Sequence, residues 1–292
     1  MKRRIRSCCL ALCVLQGGGG YVLSPVPETY TLDPFYTKHV SVSGFPIVSS
    51  AGVPDYALFE AAYLVEHMLV RDDVREALIE NGVRLAVMAH DELTTEIPEH
   101  SDLTPGKYWD RRARGLGATR SRPAVSCGAE NLLGYPGDPY ATESILIHEF
   151  GHAMHGMGMR SVDPGFDARL QAAFDAAMEA GLWEDKYAST NPSEYWAEGV
   201  QSYFDTNREN DHDHNHVDTR EELEEYDPGL FVLVAEVFPG TEWRYIHPRD
   251  RAEPGHLAGY DPEQAPRFEW PAELEEWYRE YGEAERKRRE GR

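Results

Sequence analysis

Two histidines four residues apart, with a glutamate directly after the first, stand at His148-Glu149-Phe150-Gly151-His152. On a helix, residues four apart lie one above the other, so the two imidazoles present themselves to a single point. Glu149 is one step round from His148, within reach of a water held at that point. The H-E-x-x-H pattern is that of a catalytic zinc site, in which two histidines and a third protein ligand leave one place for water. Glu149 would be the general base, taking a proton as that water attacks a carbonyl.

The segment around the motif reads as a helix spanning about 139–157. Asp138 is placed to cap it, Pro139 suits the first helical position and Glu143 favours the early turn. Ile145, Leu146, Phe150, Met154 and Met157 form an apolar flank that would seat this helix in a core. A metzincin would need glycine at 155 and histidine at 158; the chain has His155 and Gly158, so that arrangement is excluded. His155 lies near the same helix face, yet three ligands from one short helix rarely close round a tetrahedral ion.

A third ligand must therefore come from elsewhere, and the helix expected over 191–205 offers candidates. Asn191 would cap it and Pro192 begin it. Glu194, Glu198, Gln201 and Asp205 form one polar stripe, with Tyr195, Trp196, Val200, Tyr203 and Phe204 packed around it. Spacing alone leaves the choice between Glu194 and Glu198 open. It also leaves open that Glu194 closes a capping box, or that the stripe is a solvated face.

The run His148-Glu149-Phe150-Gly151-His152-Ala153, followed by Tyr187, Asn191, Glu194 and Ala197-Glu198, resembles the catalytic domain of the anthrax lethal factor-like metallopeptidases, which include the bacterial Pro-Pro endopeptidases. The resemblance covers about residues 140–205. It implies that Glu194 is the third zinc ligand and that Tyr187 donates a hydrogen bond to the developing oxyanion. It further implies that Glu198 accepts from a ligand histidine and fixes its tautomer. Met154 and His155 depart from the family, which often has an aspartate shortly after the second histidine.

The remaining elements are those that must position this site. Residues 21–50 read as short extended pieces punctuated by prolines. A helix is expected from Pro54 to Val70, a second over Asp72–Glu80, and a strand at Val83–Ala89. Residues 90–138 read as loop-rich, with one strand at Pro123–Ser126. Further helices are expected over 165–182 and 219–237, and a charged surface helix near the end. The fold class is α+β: a zincin-like domain with a small twisted sheet, an active-site helix and a mostly helical C-terminal half. The divisions read as 1–20 signal peptide, 21–138 N-terminal α+β part, 139–260 zinc-binding helical part and 261–292 charged helical tail.

The chain has 292 residues with 51 acidic against 29 basic, a formal net charge of −22. Such a balance repels phosphate backbones and anionic lipid surfaces, so nucleic acid is not an expected partner. The start MKRRIR, followed by the apolar stretch Cys8–Leu15, reads as a secretory signal too short to span a bilayer, with no clear cleavage site. No other stretch reaches membrane-spanning length. Cys8, Cys9 and Cys13 fall in this segment, which leaves Cys127 alone and read as a packed side chain. In the His-rich stretch Asp211–His216, a solvated loop is the plain reading, and His216 is the candidate for the cleft.

The expected protein is thus a secreted zinc metallopeptidase, binding one Zn2+ per chain and acting on a protein or peptide. The alternatives are a zinc-binding extracellular module that turns nothing over, and a zinc hydrolase of a non-peptide bond. Oligomeric state and substrate sequence are not legible.

Overall fold

The computed structural model describes residues 15–16 and 20–291. The basic and apolar start read as a signal, with Cys8, Cys9 and Cys13, lies outside the described residues except at its end. The chain forms a seven-stranded mixed sheet in the order β1-β2-β3-β4-β5-β7-β6. Its strands are β1 (Leu15–Gln16), β2 (Val22–Pro25), β3 (Lys38–Val42), β4 (Phe45–Ser49), β5 (Arg84–Met88), β6 (Gly115–Leu116) and β7 (Ala124–Gly128). Strands β3 and β4 form a hairpin whose two turn residues, Ser43 and Gly44, both have positive φ (47° and 89°). That backbone is the one whose twist matches two paired antiparallel strands.

Between β4 and the parallel β5 the chain crosses through α1 (Asp55–Met68) and α2 (Asp72–Glu80). Parallel strands need such a crossover, because no tight turn can join them. Strand β7 continues the parallel set beside β5, and the short β6 runs antiparallel to β7 at the edge of the sheet.

Alternation along the central strands sends side chains to two faces. Ile47, Leu85, Val87, Val125 and Cys127 join the main core with the helices. Val48, Ala86, Met88 and Ala124 join a smaller cluster with Tyr36 and Ile97 on the other face. Such continuous apolar strands, buried on both faces, are what parallel pairing requires. Cys127 is free and buried there, and burial pushes its thiol up, so it is an inert packed group.

The other helices are α3 (Gly106–Arg112), α4 (Ala129–Leu133), α5 (Ile145–Ala153), α6 (Arg160–Val162), α7 (Phe166–Glu179), α8 (Pro192–Tyr203), α9 (Arg220–Tyr226), α10 (Pro228–Val237) and α11 (Ala272–Glu290). A π-helical turn, Met154–Met159, joins α5 to α6. No helix among the described residues is long and apolar enough to cross a membrane. The architecture is α+β, with helices dominating the second half.

Of the boundaries that differ from the sequence expectation, two have a clear local cause. The site helix begins at Ile145, capped by Ser144, rather than at 139. Asp138 is already engaged: Oδ1 accepts from the Tyr140 amide (2.9 Å) and Oδ2 from Asn131 Nδ2 (2.9 Å), so it organises a turn instead of a helix start. The expected helix over 219–237 is two helices. It breaks at Asp227-Pro228, where Asp227 caps α10 through the Leu230 amide (3.0 Å).

Candidate metal centre and cleft

Helix α5 is fixed at its start by groups distant in sequence. Asn131 Oδ1 accepts from the Ile145 amide (2.8 Å), and Thr206 Oγ1 accepts from the Ser144 amide (2.9 Å). Ile145, Leu146, Ile147, Phe150 and Ala153 are buried, and Phe150 meets Phe45 of the sheet edge-on at 5.4 Å. Helix α8 packs across α5. Trp196 Nε1 donates to the Gly151 carbonyl (2.9 Å), and a Cβ at Gly151 would stand 3.3 Å from Val200, so the glycine permits this close approach. Asn191 caps α8, its Oδ1 accepting from the Ser193 and Glu194 amides (2.8 and 3.1 Å).

The crossing brings three donor atoms to one point. His148 Nε2 and His152 Nε2 are 3.1 Å apart, and Glu194 Oε2 lies 3.3 Å from the first and 3.2 Å from the second. Ligands about 2.0–2.1 Å from a tetrahedral zinc ion are separated by about 3.3 Å, the edge of the tetrahedron. The triangle therefore fits three corners around zinc. Among the described residues this is the group of histidine and acidic side chains that could hold a metal ion. Glu194 faces the histidines rather than closing a capping box, and His155 turns away to Asp167 Oδ1 (2.6 Å).

Each imidazole is also held from behind. His152 Nδ1 meets Ser193 Oγ at 3.0 Å, and His148 Nδ1 donates to Gln201 Oε1 at 2.7 Å. Gln201 in turn donates through Nε2 to Glu143 Oε2 (3.1 Å). Glu198 stands farther off, with Oε1 3.6 Å from His148 Nδ1, and its Oε2 accepts from Asn207 Nδ2 (3.1 Å). Gln201 thus makes the hydrogen bond that the resemblance gives to Glu198, and Glu198 lies alongside.

The cluster attracts positive charge. Burial alone would lower the His148 imidazole, but its bond to Glu194 and the charges of Glu149, Glu198 and Glu194 raise it to about 10. Glu194 is opposed by burial too, yet both imidazoles hold it well below the usual carboxylate range. Carboxylates that stabilise a proton on this pair would equally stabilise a dication between them.

Two adjoining cavities, about 340 and 490 Å³, share His148, Glu149, Arg112 and Tyr187 in their walls. Burial raises the Glu149 carboxyl, while the His148 and His152 charges pull it back. The chain just after the edge strand comes close to it: a Cβ at Gly117 would stand 2.8 Å from His152 Cβ and 3.4 Å from Glu149 Oε2. Tyr187 has its ring 6.4 Å from that of His148. Burial and the Glu194 charge push its phenol up to about 12, against the lowering effect of Arg112, so the hydroxyl keeps its proton at neutral pH.

His216 is exposed, edge-on to Tyr226 at 5.4 Å, and is not in either cavity wall. His214 faces the cleft instead, because Asn210–Asn215 forms a closed loop, with Asn210 N donating to the Asn215 carbonyl (2.7 Å). Gln201, Ser193, Arg112 and His214 were not singled out as site residues from the sequence. Two of them carry a sequence signal: Gln201 lies on the Glu194 stripe, and His214 lies in the His-rich stretch.

The fold and site together define an α+β protein with two histidines and one glutamate, placed so that they could hold a metal ion, beside a cleft. No sequence profile of a known protein family matches the chain, and no curated protein matches it by sequence. Among solved structures it is similar to the Pro-Pro endopeptidase of Paenibacillus alvei, with TM-score 0.46 and 20% identity over 66% of this chain and 97% of that one.

Proposed function

We propose that this protein is a zinc-dependent metallopeptidase. The observation that carries the reading is the triangle of His148 Nε2, His152 Nε2 and Glu194 Oε2, with edges of 3.1–3.3 Å, opening on a cleft walled by Glu149 and Tyr187. His148, His152 and Glu194 would hold one zinc ion, which when bound supplies a Lewis acid for a carbonyl and lowers the pKa of water. Glu149 takes a proton from the attacking water and returns it to the departing amine. Tyr187 donates its O–H to the oxygen on which negative charge develops.

A peptide substrate is favoured by strand β6. Among the described residues it pairs only with β7, and Gly115 and Leu116 line the cleft, so an extended chain can lie along its open edge. The basic and then apolar start of the sequence supports export. Mass spectrometry of a peptide library incubated with the protein tests the reading. Cleavage that stops on chelation and returns with zinc is expected. Cleavage that persists in chelator would contradict the metal dependence.

A further inference from the structure

Resting on that reading of the metal ligands, we propose that the histidine-rich loop Asn210–Asn215 is a brace that positions two parts of the site at once. His214 acts through Glu198 on His148, and the Asp213 carbonyl acts on Tyr187.

The loop is built around Asp211. Its Oδ1 accepts from the Asp213 and His214 amides and lies beside His214 Nδ1, each at 2.8 Å, and its Oδ2 lies 3.1 Å from Arg208 Nε. The result separates histidines that look alike in sequence. The His212 side chain is 96% exposed, whereas that of His214 is 7% exposed. A solvated loop gives no reason for that burial.

His214 Nε2 reaches Glu198 Oε2 at 3.4 Å, and the other carboxylate oxygen of Glu198 lies 3.6 Å from His148 Nδ1. Glu198 is itself 2% exposed. A buried carboxylate needs partners that hold it in place, and His214 and Asn207 supply them from the loop side. His148 therefore has a carboxylate beside its outer nitrogen whose position is set by His214.

The second arm is backbone. The Tyr187 amide donates to the Asp213 carbonyl at 2.8 Å. The preceding Lys186 Nζ donates to the carbonyls of Asp211 (3.2 Å) and His212 (3.3 Å). The segment that carries the phenol is thus docked on the loop that holds Glu198. Both His214 and Asp211 are positioning residues.

Zinc affinity, from competition with a chelator, and hydrogen–deuterium exchange of the Lys186–Ser189 segment test the brace. His214→Ala should weaken zinc binding about tenfold, the low end for a group behind a ligand. His214→Gln, which keeps an N–H donor for Glu198, should recover most of that loss. In a Glu198→Gln background His214→Ala should add nothing further, a coupling that general destabilisation would not produce. Asp211→Ala, at the surface, should speed exchange at Tyr187 and weaken zinc binding in the same preparation. Parental zinc affinity in His214→Ala would overturn the His148 arm. Unchanged exchange in Asp211→Ala would overturn the Tyr187 arm. A parent chain that takes up no zinc would overturn the metallopeptidase reading and the His148 arm, while the exchange result would still decide the Tyr187 arm.

Discussion

Gln201 Oε1 accepts a hydrogen bond from His148 Nδ1 at 2.7 Å across the α5–α8 crossing. A carboxamide oxygen can only accept, so Nδ1 carries a proton and Nε2 is the nitrogen turned to Glu194 and His152. Gln201 is fully buried, and its amide nitrogen is engaged by Glu143, so it has no freedom to turn over.

Replacing that acceptor should reduce metal affinity without unfolding the protein. Gln201→Leu is expected to weaken zinc binding about 10–100-fold, measured by chelator competition, while Gln201→Glu retains most of it. Equal affinity in Gln201→Leu would show that the contact does not orient His148.

Stability depends on a charge pair at the root of the edge strand. Arg114 and Glu130 are both fully buried, and Arg114 also donates to the Ala89 carbonyl (3.0 Å) and to that of Glu92. Arg114→Met leaves the Glu130 charge without its partner and should cost about 3–5 kcal/mol in denaturant unfolding. The double variant Arg114→Met with Glu130→Met should recover much of this, because no lone charge remains. A double variant as unstable as the single one would contradict the account.

The acid limb of stability should carry the signature of His100. It is buried, with Nε2 on Ser126 Oγ at 3.0 Å and no hydrogen-bond partner for Nδ1 among the described residues. Burial pushes this imidazole down from 6.5 to about 4. Between those values the unfolded chain binds a proton that the folded chain does not. The contribution of neutral His100 is therefore complete above about pH 6.5 and is lost as pH falls toward 4, by up to about 1.4 kcal/mol per pH unit. The stability difference between the parent and His100→Gln should shrink across that window. A difference that stays flat would contradict the shift.

What the sequence made legible was local. The four-residue spacing of His148 and His152 and the Asn191-Pro192 start of α8 are written within single turns, and α2 spans Asp72–Glu80 as its pattern indicates. The start of α5 is hidden in the sequence because Asp138 and Pro139 look like a cap and first turn. The acceptors that set the real start, Asn131 and Thr206, come from 14 and 62 residues away. His216 stands nearer the next helix in sequence, but the turn built by Asp211 decides which histidine points inward. Gln201 and Glu198 share one stripe, and only the crossing angle of the two helices determines which reaches His148. Strand order is likewise a long-range property, since the paired residues of β5 and β7 are 40 positions apart in the chain.

The central claim is that one zinc ion and Glu149 together hydrolyse peptides, and Glu149→Gln tests it most directly. Zinc content and peptide-library cleavage are measured side by side for the parent and the variant. The account predicts one zinc per chain in both, cleavage by the parent, and a loss of about 10²–10⁴-fold in rate for the variant. Zinc bound at one per chain with cleavage by neither protein, or cleavage undiminished in Glu149→Gln, would contradict it.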